Sequence, residues 1–256
     1  MTHEAMMPEE QSFAAFTEEL EIQQMHQLGD RLATKSLLYH LADGEQTLGI
    51  GFGNGEQKLL MGEDPRLPAM PEKPTLMDFF KLRFAPAQQH LLQSANLAQK
   101  NGLSEKIVLA CLLHDVAVAG FIRSDHGYWG AQLIEPYVDE EVSWAIRVHQ
   151  ALRFFPDESV GYEYPQAYIK MFGGDYTLEP YIVAEYERAR EHKWYMTARM
   201  ICVNDLYSFD PDLVIEIEQF EDIIGRHFKQ PELGLGNDNT PASHMWRTLR
   251  RPSNAL

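Results

Sequence analysis

The sequence predicts an all-α fold: a multi-helix bundle preceded by a small, irregular N-terminal extension. Three observations predict it. After Pro74, apolar residues recur at three- and four-residue spacing through most of the chain, as one buried face of a helix requires. Start and stop signals bracket these stretches, with Thr, Ser or Asp ahead of them and Gly or Pro behind. Only the short "TLGIGFG" reads as a strand, and there is no internal repeat or low-complexity tract.

Residues 1–73 form the extension. From Pro8 to Leu41 the pattern is helical, with Phe13, Phe16, Leu20, Ile22, Met25 and Leu28 on one stripe. Such a stripe must be buried, so the expectation is packing on the bundle or on a second copy, a possible homodimer. The Gly- and Pro-rich stretch that follows breaks any helix. Its glycines lack the strand-then-helix setting of a phosphate-binding loop, and the segment is expected to cover rather than to catalyse.

Residues 74–210 form the core. "TLMDFFKLRFAPAQQHLLQSANLAQKNG" opens with Thr-x-x-Asp and stops at Gly102. "LSEKIVLACLLHDVAVAG" is a helix opened by Ser104, and "DHGYWGAQLIEPY" and "DEEVSWAIRVHQALRFF" follow across short polar joints. After a looser Tyr- and Gly-rich stretch, "LEPYIVAEYERAREHKWYMTARMICVNDLYSF" reads as one long helix or two. Residues 211–256 are a helical tail, expected to pack on the core, with one more amphipathic segment before "GLGNDNTPASHMWRTLRRP".

Composition narrows the partners. At 256 residues, 45% hydrophobic and 23% charged, the chain has the make-up of a globular domain with a substantial core. A formal net charge of −16 without any long basic cluster repels a phosphate backbone, which excludes extended nucleic-acid binding. A small anionic substrate stays open, because a buried cation dominates its local field. Two cysteines, Cys111 and Cys202, sit in apolar stretches and read as reduced, buried thiols. The start "MTHEAMMPEEQSFAAF" does not read as a signal peptide, and no stretch reaches the roughly 20 apolar residues of a membrane span. The expectation is a cytoplasmic protein with no membrane association.

Chemistry concentrates in the central helices, which carry His90, His114, His126 and His149, with Asp115 beside the second. Asp205 lies late, within the apolar "MICVNDLY". One such His alone is more often a packed residue than a ligand. A carboxylate inside an apolar helix needs a cation or strong donors. The order His, His-Asp, His, His, Asp, one set per successive helix, resembles the HD-domain superfamily from about Phe79 to Phe209, as do the fragments "HLLQSANLA", "VLACLLHD" and "DHGYWGAQLI". The resemblance implies an all-α bundle with a central dinuclear metal site. His90, His114, Asp115 and Asp205 would hold one ion, and Asp115 would bridge to a second held by His126 and His149. Imidazoles with carboxylates suit iron first, with manganese, cobalt or zinc as other fits. His3, His26, His40, His192, His227 and His244 fall outside the pattern and read as surface or packing residues, with His244 a candidate cavity lining.

HD proteins divide into phosphohydrolases and mixed-valent di-iron oxygenases of phosphonate- or polyol-like substrates. "HLLQSA" and "HGYWGAQLI" resemble the phosphonate-oxygenase branch, as does Arg153, one turn after His149, where that branch places an anion anchor. That branch also sets a Tyr and a Glu ahead of the first His and a basic residue one turn before the last Asp. Here the stretches read "FFKLRFAPAQQH" and "MICVND", with Arg199 farther back, and "VAVAG" follows the doublet without the Gly-Lys or Gly-His often found there. The sequence therefore favours hydrolysis of a small phosphate ester or nucleotide through a metal-bound hydroxide, with Asp115 and Arg153 as catalytic residues and oxygenation as the alternative.

Overall fold

Thr75 begins the described bundle with a reciprocal cap: the Asp78 N–H donates to Thr75 Oγ1 at 3.2 Å, and the Thr75 N–H donates to Asp78 Oδ2 at 2.8 Å. In this computed structural model the described residues are 68–250, apart from 85–86, 121–124 and 174–175. The helical stripe from Pro8 to Leu41 and the Gly- and Pro-rich stretch after it lie outside them, except for its last residues.

Helix α1 (Leu76–Leu82) is followed by α2 (Gln88–Lys100), so the stretch read as one run from Thr75 to Gly102 holds two helices. The sequence between them contains Pro86, which lacks the N–H that a continuing helix needs. Gly102, at φ 69°, takes the left-handed turn that stops α2. Ser104 caps α3 (Glu105–Leu113), accepting from the Ile107 N–H. From Val108 to Leu113 every residue of α3 is buried, the mark of a helix surrounded by others. It packs against α2, α6 (Glu140–Leu152), α9 (Tyr195–Leu206) and α10 (Glu221–His227).

Between these run the short α4 (Val116–Gly120) and α5 (His126–Ile134), the latter packed on α6. The Tyr- and Gly-rich stretch holds the short α7 (Gln166–Phe172). The long stretch before Phe209 divides into α8 (Pro180–Arg190) and α9. Among the described residues there is no strand, only one isolated antiparallel bridge between Asp157 and Tyr162, and no helix long and apolar enough to cross a membrane.

The tail shares the core. Ile217, Phe220, Ile224 and Leu249 join Leu109, Leu112 and Ile146 in one apolar cluster. Helix α11 (Ser243–Arg250), which the tail's polar sequence did not announce, buries Trp246 against Phe79 at 4.7 Å between ring centroids. The indole N–H of Trp246 donates to the Leu133 carbonyl at 3.0 Å, satisfying the one polar group that ring buries.

Candidate metal centre

Five helices or helix ends converge on one point. His90 stands in the first turn of α2, His114 ends α3, Asp115 lies in the turn before α4, His126 starts α5, His149 is in the last turn of α6, and Asp205 is near the end of α9. All six residues expected from the sequence meet there.

Three of the four imidazoles are aimed by their other nitrogen. His114 Nδ1 lies 2.7 Å from the Cys111 carbonyl, His149 Nδ1 lies 2.6 Å from that of Ile146, and His90 Nδ1 lies 3.1 Å from that of Ser208. A carbonyl only accepts, so these Nδ1 atoms carry the proton and the Nε2 atoms present lone pairs. Yet His90 Nε2 and His114 Nε2 face each other at 3.2 Å, and His126 Nε2 and His149 Nε2 at 3.3 Å. In the His90–His114 pair two lone pairs at that distance repel unless a proton or a cation lies between them.

The carboxylates complete two groups. Asp115 Oδ1 is 3.2 Å from His126 Nε2 and 3.6 Å from His149 Nε2, while its Oδ2 is 3.7 Å from His90 Nε2. Asp205 Oδ1 is 3.1 Å from His90 Nε2 and 3.7 Å from His114 Nε2. His90, His114 and Asp115 thus form one potential metal-holding triad, and Asp115, His126 and His149 another. Two buried oxygens, Asp115 Oδ1 and Asp205 Oδ1, accept no hydrogen bond from the described residues. Buried carboxylate oxygens rarely go unsatisfied, and a cation is the partner that this donor set fits. Nitrogens bound to one ion at about 2.0–2.1 Å lie roughly 3.0–3.4 Å apart, which matches both imidazole pairs.

The electrostatics agree. Burial pulls the His149 imidazole down to about 4, so it is neutral and able to ligate at pH 7. Burial opposes ionisation of Asp115 and Asp205 too, but the imidazoles around Asp115, and Arg153 and the imidazoles beside Asp205, hold both carboxyls well below their ordinary range. His114 is also desolvated, yet Asp115 and Asp205 outweigh that and push it up. A cation held among these groups would take over the work of that proton.

Arg153 is neither on a solvated face nor independent of the centre: its Nε forms an ion pair with Asp205 Oδ2 at 3.2 Å, and its guanidinium lies over the Tyr168 ring at 5.2 Å. Arg199, the other basic residue on hand, is fully buried and donates to the Leu152 and Phe155 carbonyls, so it braces the turn carrying Arg153.

The remaining expectations sort simply. Cys111 and Cys202 are buried free thiols, both pushed up to about 12 by burial, which removes them as nucleophiles. His192 stacks on Trp144 at 3.9 Å and His227 pairs with Glu105 at 2.7 Å, both packing roles. His244 is exposed, in keeping with its reading as a surface residue. His3, His26 and His40 lie outside the described residues.

Sequence reasoning missed the support around His90. Phe209 stacks on the imidazole at 4.3 Å, and Gln93 clamps the same segment by donating to the Asp210 and Leu213 carbonyls and accepting from the Asp210 N–H. Gln89 does the same for Ile215. Their spacing, Gln89 and Gln93 four residues apart and flanking His90, was the available signal. In comparison with known proteins, the chain matches no protein-family model and no curated protein.

Proposed function

We propose that the chain is a metal-dependent phosphohydrolase of the HD-domain type, acting on a small phosphate ester or nucleotide. One observation carries this reading: two pairs of inward-facing imidazole nitrogens, at 3.2 and 3.3 Å, on either side of a buried carboxylate with an unsatisfied oxygen. His90, His114 and Asp205 would hold one ion with Asp115, and His126 and His149 the other, with Asp115 shared between them. Two divalent transition ions so held supply Lewis-acid polarisation of a phosphoryl oxygen and a water acidified toward neutral pH.

The chain's own residues do the rest. The carbonyls behind Nδ1 of His90, His114 and His149 keep those Nε2 atoms unprotonated and aimed. Arg153 binds the substrate anion through its Nη edge while its Nε keeps Asp205 in place, a fork suited to two oxygens of a phosphate. A cationic guanidinium beside the centre also offsets, locally, the repulsion that a −16 chain exerts on an anion.

A second reading, a di-iron oxygenase of a small polar substrate, is favoured by the four imidazoles, a nitrogen-rich set that suits iron. One experiment separates the two. Metal-stripped protein is reloaded anaerobically with iron(II), manganese, cobalt or zinc, its metal content is measured, and it is offered a panel of phosphate esters and, separately, organic substrates with oxygen. The expected result is two ions per chain and metal-dependent phosphate release. Loaded protein inert on the esters but consuming oxygen with an organic substrate moves the assignment to the oxygenase. Failure to retain any of the four metals removes both.

A further inference from the structure

Helix α5 approaches α6 at a point where no side chain fits. A Cβ built on Gly127 would lie 2.8 Å from the Ile146 carbonyl oxygen and 3.0 Å from that of Arg147, closer than real contacts allow at the first. Both obstacles are backbone of a helix interior, so neither swings aside. The Gly127 N–H donates to Gln150 Oε1 at 3.2 Å, fixing the same contact from the other side. One turn on, Gly130 differs: an added Cβ there would meet nothing nearer than the His114 carbonyl at 3.5 Å, an ordinary contact. A helix gains stability when Gly becomes Ala, so Gly at the second position of α5 calls for a packing reason.

That reason adjoins His126, whose Nε2 must stand near both Asp115 Oδ1 and His149 Nε2. Metal sites tolerate ligand displacements of only about 0.2 Å. A methyl group at residue 127 forces α5 off α6 by more than that. His90, His114 and Asp205 stand on α2, at the end of α3 and on α9, outside the Gly127 contact itself. We infer that Gly127, with the Gln150 side chain that receives its N–H, is the positioning residue of the His126–His149 half of the centre alone. A single methyl group there separates occupancy of the two halves. The inference rests on the two-ion reading above.

The test is manganese titration, by calorimetry and metal analysis after dialysis, of the full chain, Gly127→Ala and Gly130→Ala, with circular dichroism to establish folding. The unsubstituted chain and Gly130→Ala should each bind two ions. Gly127→Ala should bind one with unchanged affinity and the second about 10- to 100-fold more weakly. Its manganese resonance spectrum should change from that of a spin-coupled pair to that of an isolated ion, a change no general loss of stability produces. Two ions bound by Gly127→Ala at the original affinities overturn the inference. An unsubstituted chain that binds only one ion instead overturns the two-ion reading, whatever Gly127 does. If Gly127→Ala does not fold, Gln150→Leu removes only the acceptor of the Gly127 N–H; unchanged second-ion affinity in that variant overturns the inference equally.

Discussion

Asp205 is a carboxylate with divided duties: Oδ1 turns to His90 and His114, and Oδ2 is held by Arg153 Nε at 3.2 Å. Left to itself in an apolar helix it would rotate or take up a proton, since burial raises a carboxyl's pKa. Arg153 supplies the opposing charge, so its loss should reach the metal as well as the substrate. Arg153→Ala is expected to weaken metal retention at the His90–His114–Asp205 half by about 10- to 100-fold and to raise KM for an anionic substrate. Arg153→Lys, which keeps the charge but not the fork, should recover metal binding more fully than KM. Metal titration beside steady-state kinetics reads both, and an alanine variant with unchanged metal affinity would confine Arg153 to the substrate. Sequence spacing placed Arg153 one turn past His149 but left its neighbour unnamed, because the pairing joins residues 52 positions apart on two helices.

At the level of the helices, what was legible was local. Thr75 and Ser104 declare their helices because a cap is written within four residues. Helix α11 was not legible: its polar sequence hides one decisive residue, Trp246, whose burial depends on Phe79 and Leu133 far along the chain. The same dependence on distance appears where α10 meets the start of α3. Arg226 and His227 reach Glu105, with Arg226 donating at 2.6 and 3.0 Å and His227 at 2.7 Å. Those bonds, first from Arg226 and then from His227, hold the Glu105 carboxyl down to about 2, against an ordinary value of 4.5. A depressed carboxyl pKa adds stability that is complete above about 4.5 and fades as pH falls through about 2. Glu105→Gln should therefore melt below the unsubstituted chain at pH 6, with the gap narrowing below pH 4.5 and closing near pH 2. Both proteins are to be compared metal-free, so that loss of ions does not enter. A gap that stays constant across that range would show the staple to be neutral hydrogen bonding alone.

Across the whole molecule, the candidate ligands come from α2, α3, α5, α6 and α9 together with the turn after α3, so an ion at the centre would tie together elements more than a hundred residues apart. The ordered histidines and aspartates were legible because each sits at a fixed place on its own helix. The closeness that makes them a centre was not, because it comes from α2, α6 and α9 packing on α3 and from α5 packing on α6. Packing also leaves a cost: lone pairs facing at 3.2 Å and buried carboxylate oxygens without donors oppose the fold until a cation joins them. An ion that binds the folded chain and not the unfolded one raises stability by RT ln(1 + [L]/Kd), about 2.7 kcal/mol per site at a hundredfold excess over Kd. For a domain of this size that is on the order of 5–11 °C in Tm per site. Saturating manganese or iron(II) should therefore raise the melting temperature of metal-stripped protein by at least that of one site, and a chelator should reverse it. Asp115→Ala, which removes the carboxylate common to both triads, should keep most of its helical signal through the Val108–Leu113 core while losing nearly all of the metal-dependent shift. A full shift in that variant would mean that the ions settle elsewhere in this acidic chain, and no shift in the unsubstituted protein would leave the imidazole pairs to share protons instead.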